Sequence, residues 1–114
     1  MDNLIKIFNL NNFIFTKETT KAMEFENIQS KDIIYLLPTA EITIALNPEI
    51  VEGNVNLKNK SKGYTHSTAF NRFPKRQHTG KDLIHYGYSF KFQSKEELSS
   101  FLYELNNHIN VHSL

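Results

Sequence analysis

The sequence predicts an α+β domain: a mostly antiparallel sheet of four to five strands with a C-terminal helix packed on one face. Three observations carry that prediction. Leu83 to Phe92 alternates without a break, with Ile84, Tyr86, Tyr88, Phe90 and Phe92 on one parity and His85, Gly87, Ser89 and Lys91 on the other. That is the period of a strand, and its aromatics suit β propensity. Ser94 then opens a run in which Leu98, Phe101, Leu102, Leu105 and Ile109 recur at helical spacing, an apolar stripe that must pack on something. The apolar runs upstream are short and bounded by Pro, Asn and Gly, as strands are.

Taken in order, Leu4 to Thr16 fits both periods. Leu4, Ile7, Phe8 and Asn11 share a helical face, whereas Ile5, Ile7, Phe13 and Phe15 share a strand parity. The segment is read as a strand broken near Asn11 and Asn12. A short helix over 17–27 follows, capped by Thr16 or Thr19. Ile33 to Leu37 is a compact apolar run stopped by Pro38 and reads as a buried strand. Ile42, Ile44 and Leu46 alternate with Glu41, Thr43 and Ala45; after the Asn47-Pro48 turn signal, Val51, Val55 and Leu57 alternate with polar residues. Those two runs predict an antiparallel hairpin with one face toward water.

The capping box Ser94-Lys95-Glu96-Glu97 starts the last helix. The Ser94 oxygen takes the amide of Glu97, and Glu97 reaches back to that of Ser94. Tyr86, Tyr88, Phe90 and Phe92 could form a stacking platform for bases, but no RNP-type motif accompanies them and the helix needs this apolar surface, which assigns the row to the core. The opposite parity, with His85 and Lys91, is then the better ligand face.

No linker, repeat or low-complexity segment divides the chain, so residues 1–114 read as a single domain with a long basic loop at about 59–82. Composition removes several classes of function. With no cysteine there is no disulfide, no thiolate zinc site and no thiol nucleophile. No apolar run approaches the ~20 residues that span a bilayer. The start of the chain, with Asp2 and several Asn among its apolar residues, makes a poor signal peptide. A cytoplasmic protein, without membrane association and without a cofactor or metal, is the expectation.

Charge is segregated along the chain. The net charge of +1 divides into −4 over residues 1–52, +7 over 53–81 and −2 over 82–114. The central segment contains no Asp or Glu. Such polarity speaks to partners rather than to fold. Lys58, Lys60, Lys62, Arg72, Lys75, Arg76 and Lys81 are candidate phosphate contacts, and Tyr64, Phe70 and Phe73 candidate stacking surfaces for unpaired bases. The primary expectation is non-catalytic binding of a phosphate-rich partner, RNA or single-stranded DNA before duplex. Two alternatives belong to other classes. One is a small inhibitor or adaptor, of the kind phages and mobile elements carry, docking on an acidic surface of a host protein. The other is a metal-independent ribonuclease using His66, His78 and Arg76, since two imidazoles and a cation can transfer protons and steady a phosphorane.

Other motifs fall short. His108 and His112 have zinc-compatible helical spacing but sit at the end of the chain, where a histidine near the helix dipole is the simpler account, and His78-Thr79-Gly80-Lys81 lacks the upstream glycine of a phosphate loop, where Lys75 stands instead.

Overall fold

The computed structural model describes the backbone of residues 2–78, 80 and 82–112, and side chains from 3 to 109 within those ranges. Its elements in chain order are α1 (Asp2–Leu10), β1 (Phe13–Glu18), β2 (Met23–Asn27), β3 (Ile33–Leu36), β4 (Ile42–Leu46), α2 (Pro48–Glu52), α3 (Val55–Lys60), β5 (Tyr64–His66), β6 (Lys75–Gln77), β7 (Leu83–Phe92) and α4 (Lys95–His112). All the pairings are antiparallel, in a seven-stranded sheet ordered β1-β2-β3-β4-β7-β5, with β6 also on β7. The fold class is α+β, and the sheet has more strands than the predicted four or five.

The extra strands arise where turn chemistry decides between periods. The predicted strand at the start of the chain is instead a helix and then a strand. Asn12 adopts a left-handed φ of 69°, which short polar side chains tolerate and which stops α1. The predicted helix over 17–27 is a β-hairpin. The Thr19 hydroxyl accepts from the amides of Lys21 (3.1 Å) and Ala22 (3.2 Å), so this threonine closes a turn rather than capping a helix.

The predicted 50–58 strand is corrected to two short helices. Asn47 accepts from the amide of Glu49 at 3.0 Å with Pro48 in the first turn, and Asn54 accepts from the amide of Leu57 at 3.1 Å. Both are helix N-caps. The predicted loop at 59–82 contains β5 and β6.

β7 is the axis of the sheet. Its second half pairs β4 (Ile44 opposite Phe90), and its first half pairs β6 (Arg76 opposite Ile84). β5 adds along Tyr86 to Tyr88. The main core lies between the sheet and the helices. Ile34, Leu36, Ile44, Leu46, Tyr88, Phe90 and Phe92 meet Phe8 of α1, Val51 of α2, Leu57 of α3, and Leu98, Phe101, Leu102, Leu105 and Ile109 of α4. Each such side chain stabilises by roughly 1.5–3 kcal/mol on burial.

The Ser94 cap forms as expected, with the Glu97 amide on Ser94 Oγ at 3.1 Å. Glu97 reaches one residue further back than predicted, accepting from the amide of Gln93 at 2.7 Å. A buried amide relay joins β2 to α4 and the end of α1. Asn27 donates to Asn106 at 2.7 Å, and Asn106 donates to the Asn11 carbonyl.

The second face of the sheet is not left to water. Residues 67–74 fold across it and place Phe70 and Phe73 against Ile33, Tyr35 and Ala45. For this reason Thr43 and Ala45 of β4 are buried, although the alternation predicted them solvent-facing. Gly87 lies beneath this cover: a Cβ there would sit 2.8 Å from the Leu46 carbonyl oxygen and 3.0 Å from the Phe73 ring. No described helix is long and apolar enough to cross a membrane.

Candidate nucleic-acid interface

Strand register aims the candidate site. Tyr64 lies opposite Tyr88, His66 opposite Tyr86, and Arg76 opposite Ile84. Directly opposed residues project from the same face, so all six stand on the face that carries the helices. Tyr88 is inside the core. The others lie farther along β7, where His66, Arg76, Ile84 and Tyr86 are half-buried and Tyr64 is 50% exposed. A set of rings is thus left open beside the packed part of the sheet.

The rings are in contact with one another. Tyr64 has its centroid 5.5 Å from Tyr86 and 5.0 Å from Tyr88. The guanidinium of Arg76 sits 4.0 Å from the centre of the Tyr64 ring and 5.5 Å from that of Tyr86. Cation–π contact of this kind contributes ~0.5–1 kcal/mol at an exposed site. Among the described residues no carboxylate comes within ion-pair distance of Arg76.

His78, exposed just after β6, stacks its ring on His66 with centroids 4.0 Å apart and planes 25° from parallel. Its backbone amide donates to the Asp82 carbonyl at 3.3 Å, and the Gln77 side chain donates to the Gly80 carbonyl.

Electrostatics follow from this crowding. Burial first, and then the positive His78 and Arg76, hold His66 below its ordinary pKa. Its Nε2 is buried with no hydrogen-bond partner among the described residues, an uncommon state that asks for an explanation. Burial pushes the Tyr86 phenol up. Burial, followed by hydrogen bonds with Tyr64 and Glu52, does the same to Tyr88, whose hydroxyl donates to Glu52 at 3.2 Å.

The structure joins some of the sequence-predicted residues and separates others. Tyr64, His66, Arg76 and His78 come together, although they are spread over three segments. Phe70 and Phe73 are 0% and 3% exposed in the second core, and their rings have no free face for a base. Arg72 also lies on that second face. Its guanidinium is 3.9 Å from buried Glu24, and its amide donates to Tyr35 Oη at 3.1 Å. Tyr35 in turn donates to Glu24 at 2.9 Å, and Thr16 donates to the same carboxylate at 2.8 Å. Arg72 therefore locks the cover onto the sheet.

Lys75 is opposite His85 and projects from this second face too, away from Arg76. Lys60 pairs with Glu104 at 3.8 Å, while Lys58 and Lys62 are exposed on and after α3. Lys81 lies outside the described residues. The basic segment thus wraps two faces instead of forming one continuous patch.

The ligand face expected around His85 and Lys91 is occupied: His85 Nδ1 bonds the Phe73 carbonyl at 2.6 Å, and Lys91 pairs with Glu41 at 3.9 Å. His108 lies against the Asn54 side chain at 3.2 Å, and the side chain of His112 is outside the described residues.

Tyr86 joins the candidate site, although sequence reasoning weighed it as a stacking residue and assigned it to the core. Its parity put it with the core row, yet the row is longer than the helical cover it packs against. Chemically, the site offers a half-exposed tyrosine ring, a guanidinium with no carboxylate at ion-pair distance among the described residues, and two adjacent imidazoles. Comparison with family models, curated proteins and solved structures finds no match to this chain.

Proposed function

We propose that this face binds single-stranded nucleic acid, with a base on the Tyr64 ring and the backbone phosphate beside it on Arg76. The observation that carries the reading is the half-exposed Tyr64 ring with the Arg76 guanidinium 4.0 Å from its centre, which among the described residues has no carboxylate at ion-pair distance. Stacking accepts any base because every base has a π face, and it contributes ~1–3 kcal/mol per ring. A duplex hides those faces, which is why an unpaired strand is favoured. His66, His78 and Tyr86 extend the surface, and Lys62 adds charge at its edge. Arg72, Lys75, Phe70 and Phe73 drop out of the contact set on this reading, because they belong to the other face.

The test is fluorescence anisotropy with a labelled single-stranded oligonucleotide across salt concentrations. Affinity is expected to fall with a slope of roughly −0.7 per neutralised phosphate. Tyr64→Ala and Arg76→Ala are each expected to weaken binding about tenfold. Wild-type affinity in both variants would remove the proposal and leave the charges to an acidic protein partner.

A further inference from the structure

Resting on that reading, we propose that RNA seated on this face is cleaved by transesterification, with His66 and His78 as the proton-transfer pair. Two imidazoles are brought into contact, with centroids 4.0 Å apart, and Arg76 is anchored on the adjacent tyrosines. Groups that must act on the same phosphate are thereby collected from β5, β6 and the turn after β6. Among the described residues, His66 Nε2 is the buried nitrogen without a partner. With the ring proton on Nδ1 it presents a lone pair, and a nucleotide 2′-hydroxyl is a donor of the type it lacks. Because the rings are in contact and Nε2 is buried, seating that hydroxyl requires the exposed His78 ring to swing away from His66, so that the two imidazoles flank the phosphate.

The step balances without a metal or a redox partner. His66 Nε2 takes the proton of the 2′-hydroxyl as O2′ bonds to phosphorus. The P–O5′ bond breaks, and its electron pair leaves on O5′. Protonated His78 gives O5′ a proton, while Arg76 faces the non-bridging oxygens. The products are a 2′,3′-cyclic phosphate and a 5′-hydroxyl. The lowered pKa of His66 agrees with the role of a base, since it keeps that ring neutral near neutrality. The charged and titratable groups around it are His78, Arg76, Tyr64 and Tyr86, with Glu52 one residue removed through Tyr88.

The experiment incubates the protein with end-labelled single-stranded RNA in EDTA, beside DNA of the same sequence. RNA is expected to be cut to 2′,3′-cyclic phosphate ends, and DNA to be bound but left intact. His66→Ala and His78→Ala should each slow cleavage by roughly 100-fold or more. His78 is exposed, so His78→Ala should keep the wild-type melting temperature and remains informative if His66→Ala does not fold. Intact RNA alongside bound DNA overturns the cleavage proposal and leaves the binding reading standing. Absence of both binding and cleavage overturns the two together. Cleavage at the wild-type rate in His78→Ala overturns the assignment of the acid.

Discussion

Two stretches of the basic segment share a composition and meet opposite fates. Residues 67–75 carry two phenylalanines, an arginine and a lysine, and they close over one face of β7. Residues 64–66 and 76–78 carry a tyrosine, two histidines and an arginine, and they stand open on the other. In the first stretch the rings are buried and the arginine is paired with Glu24; in the second a ring is half exposed and the arginine has only tyrosines beneath it. The difference comes from neighbours. The buried stretch meets a sheet face with no helix on it, and Gly87 leaves room for the Phe73 ring to lie against the strand. The open stretch lies at the margin of the helical cover, where Glu52 of α2 reaches Tyr88 but Tyr86 and Arg76 stay only half-buried. The lesson is that a cluster of Lys, Arg and aromatics names a region, and register decides which of its members can touch a ligand.

The largest effect should come from breaking the covered half. Phe70→Ala and Phe73→Ala each remove a buried ring and should destabilise by roughly 3–5 kcal/mol in chemical denaturation. Tyr64→Ala, on the open half, should change stability by less than ~0.5–1 kcal/mol. Comparable losses at all three positions would erase the distinction.

The two arginines sharpen it next. Arg72→Ala strands the buried Glu24 carboxylate and should cost about 1–2 kcal/mol of stability, reduced by the half-exposure of the arginine side chain. Arg76→Ala should lower the melting temperature by only about 2–4 °C, since it has cation–π contacts of ~0.5–1 kcal/mol to lose and strands no carboxylate among the described residues.

The smallest expected effect is a pH dependence. The folded state holds His66 below its ordinary pKa of 6.5, so the unfolded chain takes up a proton there more readily. Stability from the neutral ring is complete above that value and is lost as the pH falls below it. Melting between pH ~7.5 and ~5.5 should therefore drop further in wild type than in His66→Phe, whose ring keeps contact with His78, Arg76, Tyr64 and Tyr86 but cannot titrate. Equal drops would show that His66 is not held neutral.

Legibility in the sequence followed the length of the periodic signal. β7 and α4 could be read because ten and eighteen residues keep one period. The 48–60 region could not. Val51, Val55 and Leu57 fall on one parity by coincidence, and in the helices Val51 and Leu57 are buried while Val55 is 74% exposed. The sequence signal that decided the matter was chemical: Asn47-Pro48-Glu49 and Asn54 are helix starts.

Of the candidate site, the segment was legible from its charge and its histidines. Membership was not, because it depends on strands of three residues whose pairing partners are distant in sequence. The separation of Lys75 from Arg76, neighbours on opposite faces, follows at once from the pairing of β6 with β7 and from nothing local.

If ligand contact is confined to the open face, an amide chemical-shift titration with a short single-stranded oligonucleotide will show it. Shifts are expected at Tyr64–His66, at Arg76–His78 and around Tyr86, with Phe70, Arg72 and Phe73 unmoved. Shifts centred on Arg72 and Lys75, or spread evenly over both faces, would contradict that confinement.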